Sequence, residues 1–314
     1  MRDGIHVFLL GPRRYGKSSI VERALAAFRA GGGRSGYADL IRCTTEAEVA
    51  EELLGAVVNG VLHGTFDPVI ASRSWQKIFD DAVDILDEAS SSGPVAVAVD
   101  EFQRVADVGS RGMGGAFKAA ADRLHRASLV LAGSHLTVME KLTKARGAPL
   151  HGMGELFVVD VVPEEAMVPY LQRRARTGAK RLSKASGAYL YSQAGGVPND
   201  VQWLAYAAFE EAGDRPAIDE ACVDAGMRSV VARQAPSFAE RFEALAPSQQ
   251  RVLKLLAARP TAKVYAKEFL SGAGVANANA VKKAIDVLSA VELVHRRGGM
   301  YEVASPFLRG WLLG

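Results

Sequence analysis

Gly11-Pro12-Arg13-Arg14-Tyr15-Gly16-Lys17-Ser18 is the stretch on which the fold turns. It fits G-x-x-x-x-G-K-[ST], a loop whose backbone N–H groups cradle phosphates. Its flanks agree. Ile5 to Leu10 is a short, mostly apolar run that reads as a buried strand, and Ser18 to Arg29 carries Ile20, Val21, Ala24, Leu25 and Phe28 at helical spacing. Gly11 and Gly16 permit the backbone angles that turn N–H groups toward phosphate oxygens, and the helix N-terminus adds partial positive charge there. The expected nucleotide contacts run through Gly11, Pro12, Arg13, Arg14, Tyr15, Gly16, Lys17, Ser18 and Ser19. Lys17 is expected on the β- and γ-phosphates, and the Ser18 hydroxyl on Mg²⁺.

The second decisive stretch is Val95-Ala96-Val97-Ala98-Val99-Asp100-Glu101-Phe102-Gln103. A continuous apolar run reads as a strand buried on both faces, as in parallel sheets. Two acids follow at its carboxyl end, the edge where α/β sheets bind ligands. This has the form of a Walker B motif. Asp100 is expected to hold Mg²⁺, directly or through water, and Glu101 to polarise the attacking water as general base. Two acids in that position also cap helices.

Between and after these motifs, strands and helices alternate. Tyr37 to Cys43, Ser128 to Ser134 and Glu155 to Val161 read as further strands; 46–61, 73–89, 114–126 and 135–144 read as helices. Five strands alternating with helices predict a doubly wound α/β sheet with right-handed crossovers. From Pro163 the pattern is purely helical, over 164–175, 183–194, 199–212 and 218–234, followed by a linker from Gln234 to Pro247 that turns helical. Arg173, Arg174, Arg176, Lys180, Arg181 and Lys184 form a basic cluster across the first helical connection, read either as a solvated face or as a nucleic-acid or nucleotide contact. The last segment reads helix (248–258), short extended piece (263–265), helix (266–272), helix (277–291), then a hairpin with Arg297-Gly298-Gly299 at its turn. That order is a winged helix. Asn277, Asn279, Lys282 and Lys283 on its recognition helix, and His295, Arg296 and Arg297 on its wing, are the candidate contacts to double-stranded DNA. Winged helices also serve dimerisation and regulation.

Composition sets the outer limits. Hydrophobic residues at 49% and charged residues at 23% describe an ordinary globular chain, and 314 residues suffice for two or three domains. No apolar run approaches the roughly 20 residues of a membrane helix, and the N-terminus lacks a signal-peptide pattern. Cys43 and Cys222 have no metal-type spacing, which fits free thiols in a reducing cytoplasm. From Arg241 onward eleven Lys/Arg face five Asp/Glu, a net +6, while the first 240 residues carry 27 against 30. A basic C-terminal module suggests an anionic partner.

Together these residues resemble an archaeal-type ATPase of the STAND/AAA+ P-loop group, and are similar in plan to origin-recognition and transposition-regulator AAA+ ATPases. Gly11-Pro12-Arg13-Arg14-x-Gly-Lys-Ser is close to the family's Gly-Pro-Arg-Arg-x-Gly-Lys-Thr; Asp100-Glu101-Phe102-Gln103 resembles its DEFQ-like box. Gly195-Gly196-Val197-Pro198 resembles the Gly-Gly-x-Pro turn of its helical lid, and Tyr301 to Trp311 its winged-helix tail. The resemblance implies a five-stranded AAA+-like parallel sheet over 1–162, a helical lid over 163–236 and a winged helix over 237–314. It implies a strand between the phosphate-loop strand and the Walker B strand, tipped by a polar sensor of the γ-phosphate. Ser134 is the candidate, with His135 and Thr137 behind it; a serine there also caps a helix. The chain starts close to the first strand, so either the adenine base is expected to be gripped from elsewhere than an N-terminal segment, or the sequence is trimmed at this end.

Two positions depart from the family pattern. Gly152-Met153-Gly154 stand where an arginine finger is common, leaving Arg146 or Arg126 as substitutes, and Asn199 stands where many lids carry a sensor arginine. Both departures fit a slow switch better than fast ring-type hydrolysis. The expected function is an ATP-binding, slowly hydrolysing switch that couples nucleotide state to DNA binding or to recruitment of a protein effector. The alternatives are a DNA-directed loader or transposition-type ATPase oligomerising on duplex DNA, and a nucleotide-stabilised interaction scaffold.

Overall fold

The structure is a computed structural model and describes residues 4–65, 74–108, 111–134, 136–143, 148–275 and 277–314. Two compact units divide the chain, Met1–Asp160 and Val161–Gly314.

In the first unit, strand β1 (Val7–Leu10) enters the phosphate-loop stretch and helix α1 (Lys17–Ala30) leaves it. α1 buries Val21, Leu25 and Phe28, an i, i+4, i+7 stripe. Strand β2 (Arg34–Asp39) lies earlier than its apolar run suggests. Leu40–Arg42, expected to continue the strand, is a 3-10 turn capped by Asp39, whose carboxylate accepts from the Ile41 N–H at 3.0 Å. β2 carries Ser35 and Gly36 where α2 (Glu46–Gly60) packs on it closely: a Cβ on Gly36 would stand 2.3 Å from the Ala56 carbonyl oxygen. α2 starts with a capping box, the Thr45 hydroxyl accepting from the Glu48 N–H and the Glu48 carboxylate from the Thr45 N–H.

Helix α3 (Trp75–Ser90) leads to strand β3 (Val95–Asp100), buried along its whole length. The even apolar run hides a division of labour. Val95, Val97 and Val99 belong to the large core beneath α2 and α3, while Ala96 and Ala98 face the smaller cluster around Val21, Leu25 and Phe28 of α1. Short helices α4 (Arg104–Asp107) and α5 (Arg111–Arg123) follow, then strand β4 (Ala127–Gly133), helix α6 (Leu136–Thr143) and strand β5 (Glu155–Val158). All five strands pair in parallel in the order β2-β3-β4-β1-β5. β4 therefore lies between the phosphate-loop strand and the Walker B strand.

The second unit opens with α7 (Glu164–Thr177). A two-residue strand β6 (Arg181–Leu182), absent from the sequence reading, precedes α8 (Lys184–Gln193) and α9 (Pro198–Glu211). It pairs in parallel with an equally short β7 (Ala217–Ile218). Helix α10 (Glu220–Glu243) then runs 24 residues. The linker expected to turn helical after Gln234 is helix as far as Glu243, continuous with the segment before it and with Pro236 inside. Burial explains why the proline is carried: Phe238 is buried, and Phe238 and Phe242 pack on Trp311 with ring centroids 6.2 and 5.7 Å away.

The chain finishes with α11 (Pro247–Ala258), α12 (Lys267–Gly272), α13 (Ala278–Ala290), the antiparallel pair β8 (Val294–Arg297) and β9 (Met300–Val303), and α14 (Pro306–Leu313). Gly298 and Gly299 both have positive φ, as a two-residue hairpin turn of this hand requires. The extended piece expected over 263–265 is not a strand. Thr261, slightly upstream, makes the bridge to Tyr301 instead. One apolar core joins α7 through α14. No described helix is long and apolar enough to cross a membrane.

Candidate nucleotide-binding site

The carboxyl ends of β1, β3 and β4 meet at one place. The Gly11 N–H reaches the Gly133 carbonyl at 3.4 Å, and the Phe102 N–H reaches that of Ala132 at 2.8 Å. Within the loop, Arg14 and Gly16 adopt positive φ (71° and 86°), turning the backbone into α1. A left-handed residue beside a helix N-terminus is the geometry of an anion-binding nest. Gly11 has no room for a side chain, since a Cβ would lie 2.7 Å from the Val159 carbonyl oxygen. Lys17 is 6% exposed, and its ammonium donates to the Pro12 carbonyl at 3.0 Å, folded across the loop. Arg13, Arg14, Ser18 and Ser19 stand exposed around it, and Tyr15 is buried.

Asp100 is 3% exposed at the end of β3. Its Oδ2 accepts from the Ser18 hydroxyl at 2.6 Å and from the Tyr37 hydroxyl at 2.8 Å; its Oδ1 accepts from the Glu101 N–H at 2.8 Å. The two expected metal ligands, Ser18 and Asp100, are thus in direct contact. Tyr37 was not singled out by sequence. Burial first, and the adjoining Asp100 carboxylate second, push its hydroxyl well above the ordinary tyrosine range, so it stays a donor. Beside Tyr37, between α1, β2 and α2, opens a cavity of about 710 Å³ whose lining includes no residue of the phosphate loop.

Glu101 has φ +52°, an uncommon angle for a residue with a side chain. Its carboxylate accepts from the Gln103 amide and from the Ser134 hydroxyl at 3.4 Å, and it pairs with Arg13 at 3.9 Å. Gln103, only 3% exposed, is fixed from both ends. Its Oε1 accepts from the Ser134 N–H at 3.1 Å, and its Nε2 donates to the Ser134 hydroxyl at 3.1 Å as well as to Glu101. The amide therefore ties the tip of β4 to the candidate general base. Gln103 stood in the sequence only as a letter of the box. The signal was an amide two residues after an acid pair at the end of a fully apolar strand. Arg146 and His135 lie outside the described residues, as does the side chain of Thr137. Met153 is buried.

In the second unit the candidate DNA contacts separate. Asn279, Lys282 and Lys283 are exposed along α13. Asn277 caps that helix, its side-chain oxygen accepting from the Ala280 N–H at 3.0 Å. Arg296 lies over the Tyr301 ring, 5.4 Å from its centroid, and its Nε donates to the Gly299 carbonyl. Arg297 donates to the Gly195 carbonyl at 2.6 Å. Gly195 and Gly196 both have positive φ, and a Cβ on Gly196 would meet the Tyr191 hydroxyl at 2.7 Å. In the basic cluster, Lys180 is buried rather than solvated, donating to the Gly213 and Arg215 carbonyls.

Comparison with solved structures gives this architecture its parallel. The Walker-type ATPase of Pyrococcus abyssi superposes with a TM-score of 0.71 at 18% identity, over 98% of this chain and 91% of that one. This chain shares the fold of that Walker-type ATPase. The Aeropyrum pernix ORC1 protein, solved in complex with DNA, shares it at a TM-score of 0.54 and 18% identity, over 98% and 86% of the two chains. So does the ORC2 protein of the same organism in its ADPNP–ADP complexes, at 0.54 and 14%, over 98% and 88%. A family model described as a probable winged helix domain matches residues 236–314. No curated protein matches the chain in sequence.

Proposed function

We propose that the protein is an ATP-binding, slowly hydrolysing switch whose output is the winged helix. One observation carries the reading. Ser18, Asp100, Glu101, Gln103 and Ser134 form a single hydrogen-bonded network at the mouth of the phosphate loop. In it a phosphate cradle, a hard-oxygen donor pair and a carboxylate base are contiguous.

The residues fit Mg²⁺, because a hydroxyl and a carboxylate 2.6 Å apart are the oxygen donors that ion prefers. Bound there, the ion would neutralise charge on the β- and γ-phosphate oxygens. Lys17 leaves the Pro12 carbonyl for the phosphates, and the loop N–H groups hold them in place. Glu101 orients the attacking water and takes its proton. Ser134 donates toward the γ-phosphate, and Gln103 relays the position of that hydroxyl to the Glu101 carboxylate. Tyr37 holds Asp100 from the side opposite Glu101's N–H.

Slow turnover follows from two positions. Met153 occupies the place of a finger arginine, and Asn199 brings no charge to the Gly-Gly-x-Pro turn. In this reading residues 1–162 are the ATPase domain, 163–236 the lid and 237–314 the output domain. Three exposed polar and basic side chains on α13, in a segment of net charge +6, favour duplex DNA as the output ligand. ORC1, a structural neighbour, was solved with DNA.

The test is ATP turnover by the purified chain with and without duplex DNA, with Glu101→Gln as the blank. Slow turnover that the substitution abolishes upholds the switch. Severalfold acceleration by DNA at low salt, fading as salt is added, makes it a DNA-directed ATPase. No turnover and no ATP binding would refute both.

A further inference from the structure

The second unit contains a cavity of about 410 Å³ lined by none of the residues placed at the nucleotide site. Its volume falls in the range of small-ligand sites. Leu171, Leu182, Leu190 and Ile218 supply apolar lining, and three rings, Tyr170, Tyr206 and Phe209, supply aromatic lining. Arg174 is the single charged side chain among the lining residues, and among the described residues no carboxylate pairs with it.

The aromatic wall is preorganised. Phe209 packs directly over Gly178, where a Cβ would meet the ring at 2.5 Å. The Lys180 ammonium sits 5.0 Å from the centroid of the same ring. That ammonium is held in turn by the Gly213 and Arg215 carbonyls. Leu182 and Ile218 are fixed by the β6–β7 pairing, in which they are register partners. This gives the short parallel pair a purpose that its size does not suggest: it sets the floor of the cavity. Tyr170 and Tyr206 are 37% and 62% exposed, so the cavity opens to solvent between them. A fixed aromatic wall costs little ordering on binding.

We propose that this cavity is a binding site for a small aromatic carboxylate. The ring of such a ligand would lie against Phe209 and the aliphatic floor, and its carboxylate would pair with the Arg174 guanidinium, which suits planar anions. Size, aromatic lining and a lone unpaired cation together select that class over a neutral hydrocarbon, which would leave Arg174 unused. The site stands independently of the nucleotide reading.

The experiment is a fluorescence titration of the full chain with 8-anilinonaphthalene-1-sulfonate, followed by displacement with indole-3-acetate and with neutral 3-methylindole. The acetate is expected to displace the dye more effectively than the neutral analogue. Arg174→Gln, an exposed position, should weaken indole-3-acetate about tenfold, the scale of a lost charge-assisted hydrogen bond, and leave 3-methylindole within about twofold. Ala205→Trp, which fills the cavity from α9, should abolish displacement by both. If that variant fails to fold by circular dichroism, Tyr206→Ala is read in its place and should weaken both. Equal affinity for the charged and neutral probes, no effect of Arg174→Gln, or displacement that survives the filled or opened cavity overturns the proposal.

Discussion

The Ser18 hydroxyl donates to the Asp100 carboxylate across 2.6 Å, so the start of α1 and the end of β3 are already joined in the arrangement a divalent ion would use. Asp100→Asn removes the charge while keeping the shape. Mg²⁺-dependent ATP turnover is expected to fall by about 10²-fold, the scale of losing one electrostatic contact at a transition state. ATP binding measured in EDTA should stay close to that of the unaltered chain. A variant that loses binding in EDTA equally would assign Asp100 to the loop's architecture instead of the metal.

Gln103 gives a sharper split. Among the described residues it hydrogen-bonds Glu101 and Ser134 and no part of the phosphate loop. Gln103→Leu should therefore lower kcat about tenfold or more with KM for ATP little changed, the signature of an interaction made in the transition state. A matched rise in KM would contradict the relay.

His6 sets a pH dependence of stability. The ring is buried beneath β4, its Nδ1 accepting from the Leu129 N–H at 3.1 Å and its Nε2 facing the Ala121 carbonyl at 3.0 Å. Burial holds its pKa below the ordinary 6.5. The folded state then binds fewer protons than the unfolded one between that lowered value and about 6.5. The stabilisation is whole above 6.5 and is lost as pH falls through the lowered value. Melting temperature should drop between pH 7.5 and 5.5, and His6→Gln should flatten that drop. An unchanged slope would assign the acid sensitivity elsewhere.

Phe117 stacks edge-on against both Phe79 and Phe102, with centroids 5.0 and 4.9 Å away, and is fully buried. Phe117→Ala should cost about 3–5 kcal/mol in denaturant unfolding of the first unit. Phe102 is the neighbour of Glu101, so turnover should fall even where the protein remains folded. Full activity in a folded variant would uncouple the core from the base.

On α13, Lys282 and Lys283 are exposed and Asn277 is committed to capping. Replacing both lysines by alanine should reduce the salt slope of duplex binding by about 2, one for each phosphate contact. Asn277→Ala should instead lower stability by about 1 kcal/mol. Duplex affinity untouched by the lysine changes would move DNA off this helix.

The sheet was legible because its signals are local. The loop Gly11–Ser18, the apolar run ahead of Asp100 and the capping residues before α2 each announce their element within a few positions. The roles of Gln103 and Tyr37 were not, since they depend on β4 and β2 flanking β3, a relation that no spacing encodes. β2 was misplaced because an apolar run outweighed the Asp39 cap that ends the strand. The segment after Gln234 was read as a linker turning helical and not as a continuation of α10, because the ring that packs on its far turns, Trp311, comes far later in the chain. β6 and β7 are too short for periodicity to register.

Helix α10 leaves no tether between the helical segment and the winged helix. Its 24 residues extend about 36 Å without interruption, and Trp311 clamps its far turns from the chain's other end. The Arg297–Gly195 hydrogen bond adds a second tie from the wing back to the turn before α9. The winged helix accordingly does not search space as a module on a flexible leash would. Its bearing on the helical segment is inherited, like the tip of a beam, and within that unit little chain entropy is left to lose.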